Sequence, residues 1–236
     1  MLEAVAVSLR RGGFRLEVPR FRATPGELVA VAGRNGSGKS TFLLALAGIL
    51  HPAAGEIRLA GGPCLPPEVA FLPARAEDIV LGARRLLEVS VTLGLQGQTD
   101  LEPEAVLRRI EGLLDLPRED LEDAAEPVYR ALCGLLATGA RCLVLDEPTA
   151  SLGPRAQAVL RRTFMRLRGQ GHIVIVATHD PELARLADRW YRTERGELLE
   201  DSLDAAITDH VLKAPALWPA FGGQPVDDVL RGIWAT

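Results

Sequence analysis

The feature that most constrains the fold of this 236-residue chain is a glycine-rich loop at residues 33–40, with the sequence Gly-Arg-Asn-Gly-Ser-Gly-Lys-Ser. An uninterrupted apolar run at residues 28–32 precedes the loop, and a segment with helical periodicity follows it at residues 39–50. Glycines permit positive φ angles and a close approach of the backbone to a ligand, and the start of a helix favours an anion. A buried strand, such a loop and a helix, in this order, are typical of a P-loop that binds nucleotide phosphates.

Each part of the loop has an expected role in binding ATP with magnesium. The backbone N–H groups would surround the phosphates, Lys39 would contact the β- and γ-phosphates, and Ser40 would offer its hydroxyl to Mg²⁺. The alternative is a glycine turn without a ligand, which the flanking strand and helix disfavour. The predicted nucleotide-binding residues are Gly33, Arg34, Asn35, Gly36, Ser37, Gly38, Lys39, Ser40 and Thr41.

A second motif places two carboxylates after another apolar segment. Residues 142–145 are apolar, and Asp146 and Glu147 follow directly. The carboxyl end of a parallel strand lies at the sheet edge where ligands bind. Asp146 is therefore predicted to bind Mg²⁺, and Glu147 to orient and deprotonate the attacking water. An exposed acidic turn is the alternative for both residues.

The strand pattern predicts an α/β fold of the P-loop NTPase type with a mostly parallel central sheet. Continuous apolar strands at residues 69–72 and 173–177 alternate with helical segments, which is typical of a sheet covered on both faces. Residues 2–9 and 14–18 alternate between apolar and polar side chains and predict an N-terminal antiparallel β part.

The rest of the chain suggests three further divisions. Residues 76–137 have helical periodicity and little strand signal, so we expect a helical subdomain inserted into the α/β body. The ATPase domain is predicted over residues 1–201. A C-terminal extension at residues 202–236 carries prolines and apolar side chains that pack either on the chain itself or on a partner.

Composition and charge bear on location and partners. The net charge is -4 and basic residues lie among acidic ones, so no global basic field indicates nucleic acid as a partner. Cys64, Cys133 and Cys142 are far apart, which favours buried thiols in a reducing compartment. Residues 1–5 lack the basic and apolar regions expected of a signal peptide, and the sequence has no apolar run of the ~20 residues that a transmembrane helix needs. We therefore expect a cytoplasmic protein that reaches a membrane only through a partner.

Three motifs together resemble an ATP-binding-cassette (ABC) transporter ATPase subunit. They are the loop at residues 33–41, Leu-Val-Leu-Asp-Glu-Pro-Thr-Ala at 143–150, and Ala-Thr-His-Asp at 177–180, and the resemblance covers residues 1 to about 200. It implies that the chain binds and hydrolyses ATP with Mg²⁺ and that His179 contacts the γ-phosphate. It also implies a transmembrane permease partner, which would hold the subunit at the inner face of the membrane.

The resemblance fails at one motif that the family uses to complete its catalytic site. Family members pair head to tail, and each ATP lies between one P-loop and the Leu-Ser-Gly-Gly-Gln signature of the other subunit. Here the expected segment, residues 121–126, reads Leu-Glu-Asp-Ala-Ala-Glu. A carboxylate ~4 Å from a phosphate charge costs about 1 kcal/mol in water and about 4 kcal/mol at a surface-like effective dielectric. Because Asp123 and Glu126 add such charge, we expect this half-site to be disabled.

These losses favour a heterodimer in which a second ABC ATPase subunit supplies an intact signature, with a homodimer as the alternative. A glutamine expected at about Ala74, which links nucleotide and permease in the family, is also absent, and Gly153 stands where the family has aspartate. A second hypothesis is therefore an ATP-binding regulatory or non-transport module with little hydrolysis. A P-loop kinase is a third, which His179 disfavours.

The residue that stacks on the adenine stays open at the level of sequence. Phe14 is one candidate, although its alternation with Leu16 and Val18 favours core packing. Arg10 and Arg11 are the others, because a guanidinium also stacks on an aromatic face.

Overall fold

The computed structural model describes residues 1–63, 68–114 and 125–201. The strands are β1 (Leu2–Arg11), β2 (Phe14–Ala23), β3 (Leu28–Gly33), β4 (Ala54–Leu59), β5 (Gly62–Pro63), β6 (Val69–Leu72), β7 (Cys142–Asp146), β8 (Ile173–Ala177), β9 (Arg189–Glu194) and β10 (Glu197–Asp201). The helices are α1 (Lys39–Leu46), α2 (Arg85–Leu95), α3 (Pro103–Leu114), α4 (Glu126–Ala137), α5 (Pro154–Gly169) and α6 (Pro181–Arg185), with a 3-10 turn at Ala76–Asp78.

The ten strands within the described ranges form one sheet in the order β5-β4-β1-β2-β10-β9-β3-β8-β7-β6. From β9 to β6 all neighbours are parallel. Strands β1, β2, β4 and β5 form the antiparallel part. The predicted fold class, a mostly parallel central sheet with an N-terminal antiparallel part, is therefore confirmed.

The central strands are almost entirely apolar because both faces of the sheet are covered. Every residue of β3, β7 and β8 is buried. Side chains alternate between the two faces of a strand. Accordingly, Leu28 and Ala30 join the core that contains side chains of α4 and α5, whereas Val29 and Val31 join the core that contains side chains of α1. This arrangement fixes β3, and therefore the loop that follows it, between two packed layers.

Helices α2, α3 and α4 fill the region predicted to be a helical insertion. They contact one another, and α3 also packs on α5. The buried Glu88 side chain accepts hydrogen bonds from the backbone N–H groups of Leu81 (2.8 Å) and Gly82 (2.6 Å). Among the helices that the structure describes, none is long and apolar enough to cross a bilayer. Residues 202–236 lie outside the described part, so the predicted extension stays a prediction.

Two helix predictions were too long at one end. The helix predicted over residues 39–50 ends at Leu46, because Gly48 has φ 71° and takes the left-handed conformation that closes many helices. In the region predicted to be helical, residues 76–137, the first α-helix begins only at Arg85, because the buried Glu88 carboxylate fixes the backbone before it as a loop. Cys133 and Cys142 are buried, as predicted, and neither belongs to a disulfide, whereas Cys64 lies outside the described residues.

Candidate functional site

The loop at residues 33–40 connects β3 to α1 through backbone angles that need glycine. Gly36 has φ 78° and Gly38 has φ 108°, both in the left-handed region. A Cβ atom at Gly38 would lie 2.7 Å from the Phe14 ring. The glycines therefore let the loop turn tightly under the first hairpin, with the N-terminus of α1 facing the cleft beside it.

Three polar side chains meet where β3, β7 and β8 end. These strands are parallel neighbours, and the backbone N–H of Glu147 donates to the carbonyl of Ala177 at 2.9 Å. Lys39 Nζ lies 3.3 Å from His179 Nε2, which lies 3.2 Å from Glu147 Oε1. Lys39 Nζ and Glu147 Oε1 are 4.0 Å apart. The structure thus brings together three residues that the sequence names from three separate motifs.

Lys39 is held in a buried position beside the loop. Its side chain is 7% exposed, and its Nζ donates to the carbonyl oxygen of Gly33 at 2.8 Å. Burial lowers the pKa of Lys39, and the carboxylates of Glu147 and Asp146 oppose that effect. The ammonium group is therefore a poorly hydrated cation, which gains from an added anion.

Glu147 has the environment of a group that accepts a proton near neutral pH. Burial raises the pKa of Glu147 to about 7, against the opposing influence of Lys39. Its Oε2 accepts the backbone N–H of His179 at 3.1 Å. Its φ is 47°, which is unfavourable for a residue with a side chain and recurs at functional sites.

The imidazole of His179 is kept neutral. Burial lowers the pKa of His179, and the positive charge of Lys39 lowers it further. Nε2 faces two neighbours, the Lys39 ammonium group and Glu147 Oε1. It accepts from Lys39 when the ring proton is on Nδ1, and it donates to Glu147 when the proton is on Nε2. A neutral ring in this position can exchange a hydrogen bond with either neighbour.

A cleft of about 400 Å³ opens beside these groups. Its lining contains six of the nine predicted nucleotide-binding residues together with Asp146 and Glu147, and Gly33, Arg34 and Ser37 are not part of it. The lining residues are Arg11, Phe14, Asn35, Gly36, Gly38, Lys39, Ser40, Thr41, Ala74, Asp146 and Glu147. Phe14 also packs against the core, so it has the predicted packing role and a place on the cleft wall.

Two positions at which the sequence departs from the pattern it resembles also have a place in the structure. Ala74 lines the cleft, so a methyl group faces the space where the family has a glutamine amide. Gly153 is the N-cap residue of α5 and makes no side-chain capping bond. Neither position therefore carries the polar side chain that the sequence resemblance implies.

Part of the expected signature segment lies at the start of α4, although residues 121–124 are outside the described part. Glu126 is in the first turn of α4, and its carboxylate accepts two hydrogen bonds from Arg85, at 3.2 Å and 2.6 Å. Arg85 also lies 3.5 Å from Glu111. A carboxylate in the first turn is favoured by the helix dipole. The chain's own anion thus lies at this helix N-terminus.

We expect Arg85→Ala to lower the free energy of unfolding by about 2 kcal/mol, because it leaves two partly buried carboxylates without their shared cation. The measurement is urea denaturation followed by circular dichroism. The matched control is Arg58→Ala, whose exposed pair with Glu56 (2.7 Å) should contribute less than about 0.5 kcal/mol. Equal, small effects of both substitutions would show that Arg85 does not hold the start of α4.

A glycine loop between a buried parallel strand and a helix, with a lysine and two carboxylates at the same sheet edge, defines a P-loop nucleotide-binding protein. A family model described as ABC transporter matches residues 16–88. The hemin import ATP-binding protein HmuV of Rhodopseudomonas palustris is 33% identical over 224 residues, covering 87% of this chain and 86% of that protein. The chain belongs to the family of ABC transporter ATP-binding proteins.

Two further comparisons, one with a sequence relative and one with a solved structure, differ in how much of the other protein is covered. A putative ABC transporter ATP-binding protein of Streptomyces avermitilis is 33% identical over 231 residues, which cover 91% of this chain and 39% of that protein. The chain thus spans about two fifths of that relative's length. The solved structure of cbiO1 from Clostridium perfringens, part of the ABC transporter complex cbiONQ, has a TM-score of 0.74 at 20% identity. The structural match covers 94% of this chain and 98% of the cbiO1 chain, which shows a shared fold.

The resemblance to an ABC ATPase subunit is therefore confirmed. The site residues predicted from the sequence do not include Thr193, which lies on β9 and contacts the loop through a hydrogen bond to Ser37. No motif marks a threonine in a strand of mixed charged and aromatic residues, so only the folded chain identifies it.

Proposed function

We propose that the chain is the ATP-binding and ATP-hydrolysing subunit of an ABC transporter, active only with a partner subunit that supplies an intact signature. The observation that carries the proposal is an asymmetry. Lys39, Glu147 and His179 lie within 4.0 Å of one another beside the cleft, so the P-loop half of a catalytic site is assembled. At the start of α4, where the other half would be, Glu126 is already bound by Arg85.

The roles of the P-loop half follow from its geometry. The loop amides and Lys39 bind the phosphates of ATP. Burial deprives the Lys39 ammonium group of water, and a phosphate oxygen would replace the lost hydration with a charge-assisted hydrogen bond. Glu147 accepts a proton from the attacking water, and a pKa raised to about 7 suits a general base. His179 orients the Glu147 carboxylate through its backbone N–H and offers its ring to the γ-phosphate.

Ser40 and Asp146 would hold Mg²⁺. Both line the cleft, and their hydroxyl and carboxylate oxygens are hard donors of the kind that Mg²⁺ prefers. Within the described ranges no group of three or more His, Cys, Asp or Glu side chains is placed to hold a metal ion. Ser40 and Asp146 therefore suit an ion that takes further ligands from the phosphate oxygens of ATP. When bound, Mg²⁺ would neutralise charge that develops on the transferred phosphoryl group.

The proposed partners are a second ABC ATPase subunit and a transmembrane permease. A heterodimer is favoured over a homodimer, because two copies of this chain would each offer an acidic α4 terminus to the other's ATP. The import function in the name of HmuV and the membership of cbiO1 in a transporter complex support a permease. The subunit would then lie in the cytoplasm, at the inner face of the membrane.

The methyl group of Ala74 favours a second candidate. An alanine at this wall of the cleft cannot connect nucleotide to a permease through a side-chain hydrogen bond. The chain would then be a regulatory or non-transport module that binds ATP and hydrolyses little of it.

A complementation assay tests the first proposal. The partner is a second copy of the chain in which residues 122–126 are replaced by Leu-Ser-Gly-Gly-Gln and Lys39 by methionine, so that it offers a signature without Asp123 and Glu126 but no working P-loop. We expect the unsubstituted chain alone to release phosphate well below ~1 s⁻¹, the low end for enzymes, and an equimolar mixture to release it at least about 10-fold faster. The measurement is phosphate release with Mg²⁺-ATP.

The grafted copy alone, and a mixture in which both copies carry Lys39→Met, are the controls and should stay inactive. Turnover of the unsubstituted chain alone at 1 s⁻¹ or faster would contradict partner dependence. ATP binding without hydrolysis in every mixture would instead support the regulatory module.

A further inference from the structure

A buried threonine on β9 contacts the phosphate loop from behind. In the parallel pairing of β3 with β9, Thr193 lies opposite Gly33, the first residue of the loop. Thr193 is 1% exposed, and its Oγ1 lies 2.5 Å from the Oγ of Ser37. The start and the middle of the loop therefore meet at one side chain of the neighbouring strand.

The direction of this hydrogen bond follows from a second one. Thr193 Oγ1 donates to the carbonyl oxygen of Ala32 at 3.2 Å. A hydroxyl has one proton, so the proton in the contact with Ser37 comes from Ser37 and Thr193 accepts it. Ser37 also donates its backbone N–H to the carbonyl of Arg34 at 3.1 Å. Ser37 is thus fixed at its backbone within the loop and at its side chain to β9.

Gly33 leaves the space in which this contact forms. A Cβ atom at Gly33 would lie 2.6 Å from Ser37 Oγ and 2.8 Å from the carbonyl oxygen of Thr193. Its φ of 149° lies outside the range that side chains readily adopt. Any larger residue would separate the loop from β9, so this glycine serves the packing of the loop as well as its turn.

We propose that Thr193 is a positioning residue for nucleotide binding, which holds the loop in its phosphate-binding shape through the side chain of Ser37. The inference rests on the proposed function, because it concerns the site where ATP would bind. Breaking the partly buried bond between Ser37 and Thr193, which is linked to the buried bond between Thr193 and Ala32, leaves a donor without its protein acceptor, and that penalty falls on the loop. A loop that must be ordered again on binding holds its ligand less tightly.

The test measures the affinity of the purified full chain for ATP and ADP, with Mg²⁺, by isothermal titration calorimetry. We expect Thr193→Val to weaken both affinities about 3- to 10-fold, and Ser37→Ala to do the same. Thr193→Ser, which keeps the hydroxyl, should stay within about 2-fold of the unsubstituted chain. Because the two side chains act through one bond, the double variant should be no weaker than either single variant.

The matched control is Thr163→Val. Thr163 is also 1% exposed, and its hydroxyl donates to the carbonyl oxygen of Leu114 at 3.0 Å, away from the cleft. It should lower the melting temperature without changing either affinity, which separates a positioning effect from a general loss of stability. Should Thr193→Val not fold, the affinities of Ser37→Ala and Thr193→Ser for ATP and ADP carry the test.

Unchanged affinity in Ser37→Ala, or strictly additive losses in the double variant, would overturn the inference while leaving the proposed function intact. Absence of ATP binding by the unsubstituted chain would overturn the proposed function itself. The expected pattern is loss in Thr193→Val and Ser37→Ala, retention in Thr193→Ser, and no change in Thr163→Val.

Discussion

ATP binding is expected to weaken by at least about 100-fold when Lys39 is replaced by methionine. The Lys39 side chain is 7% exposed and its Nζ donates to the carbonyl oxygen of Gly33, so a bound phosphate would replace this backbone acceptor with a full negative charge. Charge-assisted hydrogen bonds contribute about 1.5–3 kcal/mol each, and a pair of charges about 4 Å apart adds about 4 kcal/mol at an effective dielectric of 20. A loss of 100-fold corresponds to about 2.7 kcal/mol, which is within these contributions.

The same substitution should leave the fold intact. Burial lowers the pKa of Lys39, which means that folding disfavours its charged form. Methionine occupies a similar volume without that charge, so we expect an equal or higher melting temperature. A gain in stability together with a loss of binding would be the signature of a site whose charge is kept for function.

Binding is measured by titration calorimetry with Mg²⁺-ATP, and folding by thermal denaturation without nucleotide. The control is Arg58→Met, because Arg58 lies on β4 in an exposed pair with Glu56 and should affect neither quantity. ATP affinity of the Lys39→Met variant within about 3-fold of the unsubstituted chain would show that the nucleotide does not bind at this loop.

The sequence predicts the central strands well and the charged strands poorly. Residues 69–72 and 173–177 were predicted with the bounds that β6 and β8 have, because strands buried on both faces are apolar without interruption. Strand β9 was missed, since Trp190 and Tyr191 are adjacent and lie between two arginines, which gives neither an apolar run nor an alternating pattern. Arg189 is accommodated there through ion pairs with Glu27 and Glu200, and such partners are distant or ambiguous in sequence until the sheet has formed.

The candidate site shows the same division between local and long-range information. Motifs name Lys39, Glu147 and His179 separately, because each follows a recognisable strand. They cannot show that the three groups lie within 4.0 Å of one another, since that depends on the order of strands in the sheet. The contact of Ser37 with Thr193 joins residues 156 positions apart and has no motif at its second residue.

The start of α4 combines both kinds of information. The sequence predicts carboxylates where a signature would stand, and the structure adds that Arg85, from α2, binds one of them. Arg85 is 41 residues from Glu126, so the pair could not be inferred from helical spacing. The pair gives Glu126 a structural role at the start of α4, and this role does not depend on whether the signature works in catalysis.

Hydrolysis is expected to fall by at least about 100-fold in Glu147→Gln, while ATP binding is retained. Glutamine keeps the shape of glutamate, and its amide oxygen can still accept the backbone N–H of His179, so the loop after β7 should not move. It cannot accept a proton, and the loss of a general base lowers rates by about 10²- to 10⁴-fold. Removing a negative charge beside the phosphates should leave the affinity for ATP equal or higher.

The measurement of this last effect uses the mixture with the grafted copy, in which only the unsubstituted chain contributes a working P-loop. Phosphate release is compared for chains with and without Glu147→Gln, and calorimetry reports ATP binding by each chain alone. The control is Glu182→Gln, an exposed carboxylate paired with Arg185 at 2.7 Å, which should leave both quantities unchanged. If Glu147→Gln hydrolyses ATP within about 3-fold of the unsubstituted chain, a group other than Glu147 accepts the proton. If it loses ATP binding as well, the carboxylate holds the site together and its role is structural.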